Sequence, residues 1–485
     1  MTGEPGPEAE AGAAGPVRRL FGCGPRWSAP WGREEIFPAR GRAAATARIG
    51  GYEVAAGQRL RPAGRGLSTP PVAGEPPVPV GAAGTATGTG PGGHALAVTA
   101  AACGLSVASI YYAQPLLPEL TRSFHVPHAA ATAVVTAGQV GYACGLALVV
   151  PLGDIVDRVR LASRLLVLAA PALLLAAAAP ALWVLTVSAG LLGIAASASQ
   201  VLVALTAAAS PEQIRGRAVG TVMGGLTAGI LLARVFAGAV TGLLGWRAVY
   251  VTAAVLVTGM AFALRAVLPQ QAPQARGGHY ARLLAGTLRL AAAEPVLRRR
   301  CVYGFAAFAS FSAFWTPSAF LLTGDPYHFG ESAVGAFALA GLVGVLSARP
   351  AGRMADRGHA RAATGVFLAL MVASFVPLAL GGRHLGALIA GAVLLDFGLR
   401  GAQTANQQQI YRLPRVAHSR VTTVYMTSYF IGGAVGSAAS ASVYAHFGWP
   451  GVCVLGAALA AAPLPLWAAE RDRPTTRTTP VEDTE

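Results

Sequence analysis

The sequence predicts an all-α membrane protein of twelve transmembrane helices, arranged as two pseudo-symmetric six-helix bundles. Three observations predict it. The 485-residue chain is 54% hydrophobic and 12% charged, with a mean hydropathy of +0.53, whereas a soluble domain carries about a quarter charged residues. Apolar windows of about 20 residues, enough to cross a hydrocarbon core of roughly 30 Å, recur from His94 onward. The second half of that region repeats landmarks of the first at offsets near 200 residues.

Residues 1–93 are rich in Gly, Pro, Ala and Arg, with no apolar run long enough for a signal-sequence core and no helical or strand period. This arm is expected to be disordered; a translation start assigned too early would give the same pattern. The N-terminal bundle is expected over 94–268, with spans near 95–118, 129–152, 162–180, 182–207, 218–243 and 247–268. A cytoplasmic central loop, 269–299, then leads to the C-terminal bundle over 300–469. Its spans are expected near 300–322, 332–350, 361–381, 385–410, 421–444 and 450–469, with a cytoplasmic tail over 470–485. Several spans contain Pro or Gly, as membrane helices tolerate.

All 37 basic residues are arginine, and the formal net charge is +16. They form no compact basic domain, so no nucleic-acid partner is expected. Within the membrane region they gather in alternate connectors, while Arg122, Arg247 and Arg383 fall on the opposite side. The positive-inside rule then puts both termini in the cytoplasm, for a multi-pass protein of a bacterial inner membrane. The cysteines, Cys23, Cys103, Cys144, Cys301 and Cys453, show no CxxC, and no histidine stands at metal-ligand spacing. Neither a metal nor a disulfide is expected. With no GxSxG, no Walker sequence and no dinucleotide fingerprint in a strand-to-helix context, the chain is expected to be no enzyme and to use no cofactor. No nucleotide-binding domain is expected either.

The repeat is specific. Gly153 to Arg158 after the second span matches Gly352 to Arg357 after the eighth. Arg217 stands 28 residues before Gly245-Trp246, and Arg420 stands 28 residues before Gly448-Trp449. Pro115 in the first span has a partner in Pro317 of the seventh. Duplicated bundles of this kind place a binding site where the repeats meet, near the bilayer midplane.

The connector Gly153 to Arg160, GDIVDRVR, resembles the signature loop of the major facilitator superfamily, and the resemblance covers Ala95 to Ala469. It implies a conformational latch at Gly153, Asp157 and Arg158, repeated at Gly352, Asp356 and Arg357. Tyr111 to Pro115, Gly229 to Arg234, Asn406-Gln407 and Phe447 to Pro450 are similar to a branch of bacterial efflux permeases. The implied activity is secondary active export of a small organic molecule, a drug, sugar or metabolite, by proton antiport with alternating access. The implied partners are that substrate, protons and the lipid bilayer, with the protein working as a monomer. One departure bears on antiport: Gly220, Gly224, Gly225 and Gly229 supply glycines in the fifth span, but the Pro of the Gly-Pro motif carried by many proton-coupled exporters is missing. A uniporter or importer on the same fold, and a receptor or scaffold without turnover, stay open.

Charges inside spans are the strongest pointers, because an ionised group at the bilayer centre costs several kcal/mol unless it faces a partner or water. Asp396 and Arg400 lie in the tenth span and Arg234 in the fifth. Asp396, Arg400, Gln403 and Gln407 recur at helical spacing and so share one face, which has to look inward. Asp396 is the candidate proton-coupling acid, together with Arg400 and Arg234; a fixed pair between Asp396 and Arg400 is the alternative. Arg234 is read either as an anion site or counter-charge, or as a packing residue bonded to carbonyls. The candidate cavity residues are Tyr111, Tyr112, Gln114, Gln139, Tyr142, Gln200, Phe314, Trp315, Gln403, Asn406, Gln407, Tyr425 and Tyr429, a mixture suited to an amphipathic molecule.

Overall fold

The computed structural model describes residues 92–268, 279–413 and 418–470. The arm through residue 91, much of the central connector and the tail beyond residue 470 lie outside the described residues. Every element among the described residues is helical. Ten spans follow one another as Gly93–Phe124, His128–Asp154, Arg158–Ala177, Leu182–Ala209, Glu212–Leu244, Trp246–Val267, Pro295–Thr323, Glu331–Met354, Ala360–Leu380 and Leu385–Tyr411. An eleventh stretch, Ser419–Ala468, contains two passes. It folds at Gly448, whose φ of 60° and ψ of −157° break the helix. Gly245, at φ 84°, makes the same corner between the fifth and sixth spans. Such a backbone is open essentially to glycine alone, which is why both halves carry a Gly-Trp pair there. The corner tryptophans anchor the turn: Trp246 donates to Ser123 Oγ at 3.1 Å and Trp449 to the Leu378 carbonyl at 2.8 Å.

Within the stretch read as a central loop, Tyr280–Ala293 is a helix. Its Tyr280 hydroxyl donates to the Leu148 carbonyl of the second span at 2.6 Å. The seventh span begins earlier than expected, at Pro295, a residue suited to a first helical turn because its missing N–H has no partner there anyway. The first span is interrupted between Ala108 and Ala113. Pro115 offers no N–H to the Tyr111 carbonyl and crowds it, so the chain turns there.

Glycines set the distances between spans. Gly104 lies on Gly225 and Gly229, joining the first span to the fifth, and Gly432 and Gly436 lie on Phe305 and Ala309, joining the eleventh to the seventh. Gly138, Gly141, Gly190 and Gly193 join the second span to the fourth. Lipid gives helices little hydrophobic reason to associate, so close backbone packing takes over.

The eighth span departs from its counterpart. Gly138, Gly141 and Gly193 correspond to Gly341, Gly344 and Asp396 at an offset of 203 residues, the offset that relates Trp246 to Trp449. Gly153 and Gly352 are only 199 apart, so the eighth span has four residues fewer than the second between these points. Its middle, Ala338–Ser347, is a 3-10 helix. A 3-10 residue rises about 2.0 Å against 1.5 Å in an α-helix, so this stretch recovers about 5 Å, close to the missing length.

The two bundles meet differently at the two faces of the protein. Away from the arginine-rich connectors they are joined. Arg122 of the first span and Glu331 of the eighth pair at 2.7 Å. His128 stacks on Phe320 with centroids 4.2 Å apart, Thr136 bonds to Ser437 at 3.3 Å, and Gly238 packs on Gly335. Toward the arginine-rich face a cavity of about 700 Å³ separates them, lined by the second to fifth, tenth and eleventh spans.

Candidate functional site

Where the bundles meet, two of the three intramembrane charges, Arg234 and Asp396, converge on one indole. Arg234, 3% exposed, donates from Nε to Gln114 Oε1 at 2.8 Å. Its guanidinium lies 4.3 Å from the Trp315 ring centroid and 5.2 Å from that of Tyr111. Trp315 in turn donates from Nε1 to Asp396 Oδ2 at 3.2 Å. One side chain thus offers its π face to a cation of the N-terminal bundle and its N–H to an anion of the C-terminal bundle. Asp396 is 2% exposed, against Gly341 and Gly344 of the 3-10 stretch. Residues three apart eclipse in a 3-10 helix, so both glycines present the same edge to the carboxylate. A Cβ on Gly341 would stand 3.1 Å from Asp396 Oδ1.

Neither fixed arrangement read from the sequence is the one formed. The ion pairs among the described residues do not include Asp396 with Arg400. Trp315 takes the carboxylate, and Arg400 points instead into a smaller cavity of about 40 Å³. Arg234 bonds to a side-chain amide and aromatic faces rather than to carbonyls. Arg400 Nε and Arg234 Nη2 are buried with no hydrogen-bond partner among the described residues. Two guanidiniums and one carboxylate leave this cluster with a formal charge of +1.

The small cavity gathers many of the expected residues: Tyr111, Tyr142, Gln200, Gln403 and Tyr429 line it with Arg400. Tyr142 hydrogen-bonds to Ser199 at 3.0 Å, and Gln200 donates to the Tyr142 hydroxyl at 3.4 Å. Gln403 and Gln407 each reach Met426 Sδ at 3.9 Å. Met426 and Gln200 line both the small and the large cavity and stand between them. Gln139 ties the bundles by donating to Ser312 Oγ at 3.3 Å.

Four expected residues turn elsewhere. Tyr112 packs on Phe236, Phe314 on Trp449, and Tyr425 against Gly304. Asn406 accepts from Thr364 at 3.4 Å, because it lies on another face of the tenth span from the Asp396 stripe. The sequence reading missed Phe308, Phe311, Met426 and Phe430, all of which line the small cavity. The three-residue spacing of Phe305, Phe308, Phe311 and Phe314 was the available signal.

At the expected latch, Asp157 caps the third span by accepting from the Arg160 N–H at 2.6 Å. Arg158 donates to the Gly153 carbonyl at 3.0 Å, to Asp154 at 3.0 Å and to the Ala204 carbonyl at 3.2 Å. The corner between the second and third spans is thereby tied to the fourth. Asp154 escaped the sequence reading although it stands four residues before Arg158. In the repeat, Gly352 lies near Gln408 and Arg357 is exposed, while the Asp356 side chain lies outside the described residues. The shortest ion pair on that side among the described residues is a different one, Arg300 with Glu470 at 2.6 Å. Among the described residues no group of His, Cys, Asp and Glu is arranged to hold a metal.

The family model of the Major Facilitator Superfamily matches residues 99–414 and 350–484. The uncharacterized transporter YgaY of Escherichia coli O157:H7 is 42% identical over 366 residues, covering 76% of this chain and 93% of that protein. A protein of Streptomyces coelicolor named as a transporter, SCO4007, is 38% identical over 396 residues, covering 80% of this chain and 90% of its own length. Among solved structures, a bacterial homolog of the human lysosomal transporter Spinster matches with a TM-score of 0.59 at 15% identity, over 77% of this chain and 95% of that one. That last likeness is one of fold. Relatives aligned along nearly their whole length are named as transporters, and the matching family is one of transporters and not of enzymes. The chain belongs to the major facilitator superfamily and is a multi-pass membrane transporter.

Proposed function

We propose that this transporter, working as a monomer in a bacterial inner membrane, exports a small organic compound in exchange for protons, with Asp396 as the proton-carrying acid. The observation that carries the reading is the bridge at Trp315. It bonds Asp396 in one bundle while stacking on Arg234 of the other. A proton on Asp396 weakens that bridge, and a change of a few kcal/mol at a bundle interface is enough to shift a two-state equilibrium. Assigning the arginine-rich face to the cytoplasm by the positive-inside rule puts the mouth of the 700 Å³ cavity there, as loading for export requires. The latch at Gly153, Asp157 and Arg158 would release as that mouth closes. Transport into inverted vesicles tests the proposal. Uphill flux collapses with an uncoupler and with Asp396→Asn; flux indifferent to both sinks the exchange reading.

A second reading, a uniporter on the same fold, is favoured by one observation: Asp396 is absent from the residues lining either large or small cavity and sits behind Trp315 and two glycines. There it would only balance Arg234 and Arg400. In that case Asp396→Asn leaves downhill exchange intact and the uncoupler changes nothing.

A further inference from the structure

We infer that the transported compound is an organic anion with an aromatic body, its negative group held by Arg400. The inference rests on the small cavity being the transport site, and not on exchange with protons.

Charge along the access route points this way. The large cavity is lined by Arg158 and Arg215 and the small one by Arg400, with no Asp or Glu among the described residues lining either. Arg158 is already paired with Asp154, so the positive field along the route comes from Arg215 near the mouth and Arg400 within, which favours an anion over a cation. The nearby carboxylate that could attract a cation, Asp396, is bonded to Trp315 and covered by Gly341 and Gly344. A cation would reach Arg400 without meeting Asp396.

The donors point the same way. Arg400 lines the small cavity, and its Nε is buried with no hydrogen-bond partner among the described residues. A charged donor left unpaired in a buried site is costly, and a carboxylate, sulfonate or phosphate ester relieves that cost. The planar guanidinium fork matches such groups in geometry. Gln200 and Gln403 add neutral donors beside it.

The walls describe the rest of the molecule. Tyr111, Tyr142, Phe308, Phe311, Tyr429 and Phe430 surround the same space. Such rings suit an aromatic or flat apolar body by offset stacking or edge contacts. At about 40 Å³ the cavity is smaller than any organic ligand of this kind. Entry therefore requires Met426 and Gln200, shared by the two cavities, to move, which the unbranched side chain of Met426 permits.

The test uses the full chain in detergent with three probes that share one body and differ in charge: 2-naphthoate, 2-naphthamide and 2-naphthylmethylamine. Calorimetry is expected to give the anion about a tenfold or greater advantage over the amide, as a charge-assisted pair affords, with the amine weakest. Arg400→Gln should abolish the advantage. Equal affinities, a preference for the amine, or no binding by any probe would overturn the inference. The three-probe comparison on the unaltered protein decides this even if a variant does not fold. Flux of the same probes in proteoliposomes separates the two claims. Preferred binding without transport sinks the transport-site reading, and transport without charge preference sinks the anion inference.

Discussion

Trp315 is the residue on which two opposite charges depend, and each half of its role can be removed separately. Trp315→Phe keeps a ring over Arg234 but deletes the N–H donated to Asp396. Leaving that buried acceptor unpaired costs about 1–3 kcal/mol. The expected result is a transport rate lowered about tenfold, with the melting temperature in detergent lowered by no more than a few degrees. Trp315→Ala removes both contacts and is expected to lower rate and melting temperature together. A Phe variant as active as the parent would show that the indole N–H has no part in turnover. The polar stripe from Asp396 to Gln407 was legible in the sequence because charges are rare within spans and helical spacing aligns them. The partnership with Trp315 was not, since the two residues stand 81 apart and local spacing offered Arg400 instead. Tyr112 and Tyr425 illustrate the same limit: an aromatic residue within a span can face a cavity or a neighbouring helix, and packing alone decides.

At the scale of helices, glycine contacts set which surfaces fit together. Gly229 in the fifth span and Gly432 in the eleventh hold equivalent places, 203 residues apart, each against the backbone of a neighbouring span. Gly229→Leu and Gly432→Leu are each expected to destabilise by about 1–3 kcal/mol or more through overpacking, read as earlier thermal unfolding. Gly259, with open space around its backbone, is the control: Gly259→Leu should leave unfolding where it is. The spans themselves were legible because each needs its own run of apolar residues. The Tyr280–Ala293 helix was not, because it is too short for a span and lies among arginines that read as a connector. The 3-10 stretch was hidden as well. It answers to a missing length that shows only when both halves are superposed.

For the whole molecule, closure on one face sets the state. Arg122 and Glu331 pair across the bundles with Arg122 62% exposed, and such a pair contributes about 0–1 kcal/mol. Glu331→Gln should therefore shift the balance between open and closed forms by no more than about fivefold. Spin labels at His125 and His446 would register the gain in long distances. A shift of a hundredfold would mean that the ion pair, rather than the packing of His128 and Gly238, holds that face shut. A twofold internal repeat was readable from the chain alone. Which face stands open was not, since both states use the same helices.

The 3-10 stretch of the eighth span gives this closure a mechanical link to the buried acid. Three residues make a full turn in its present winding but fall about 60° short in an α-helix. Rewinding Ala338–Ser347 would unscrew Gly341 from Gly344, uncover the carboxylate between them, and shorten the rod that ends in Glu331. Slow amide exchange there in the closed form, quickened when substrate cycles, would mark the span as a ratchet that trades pitch for access.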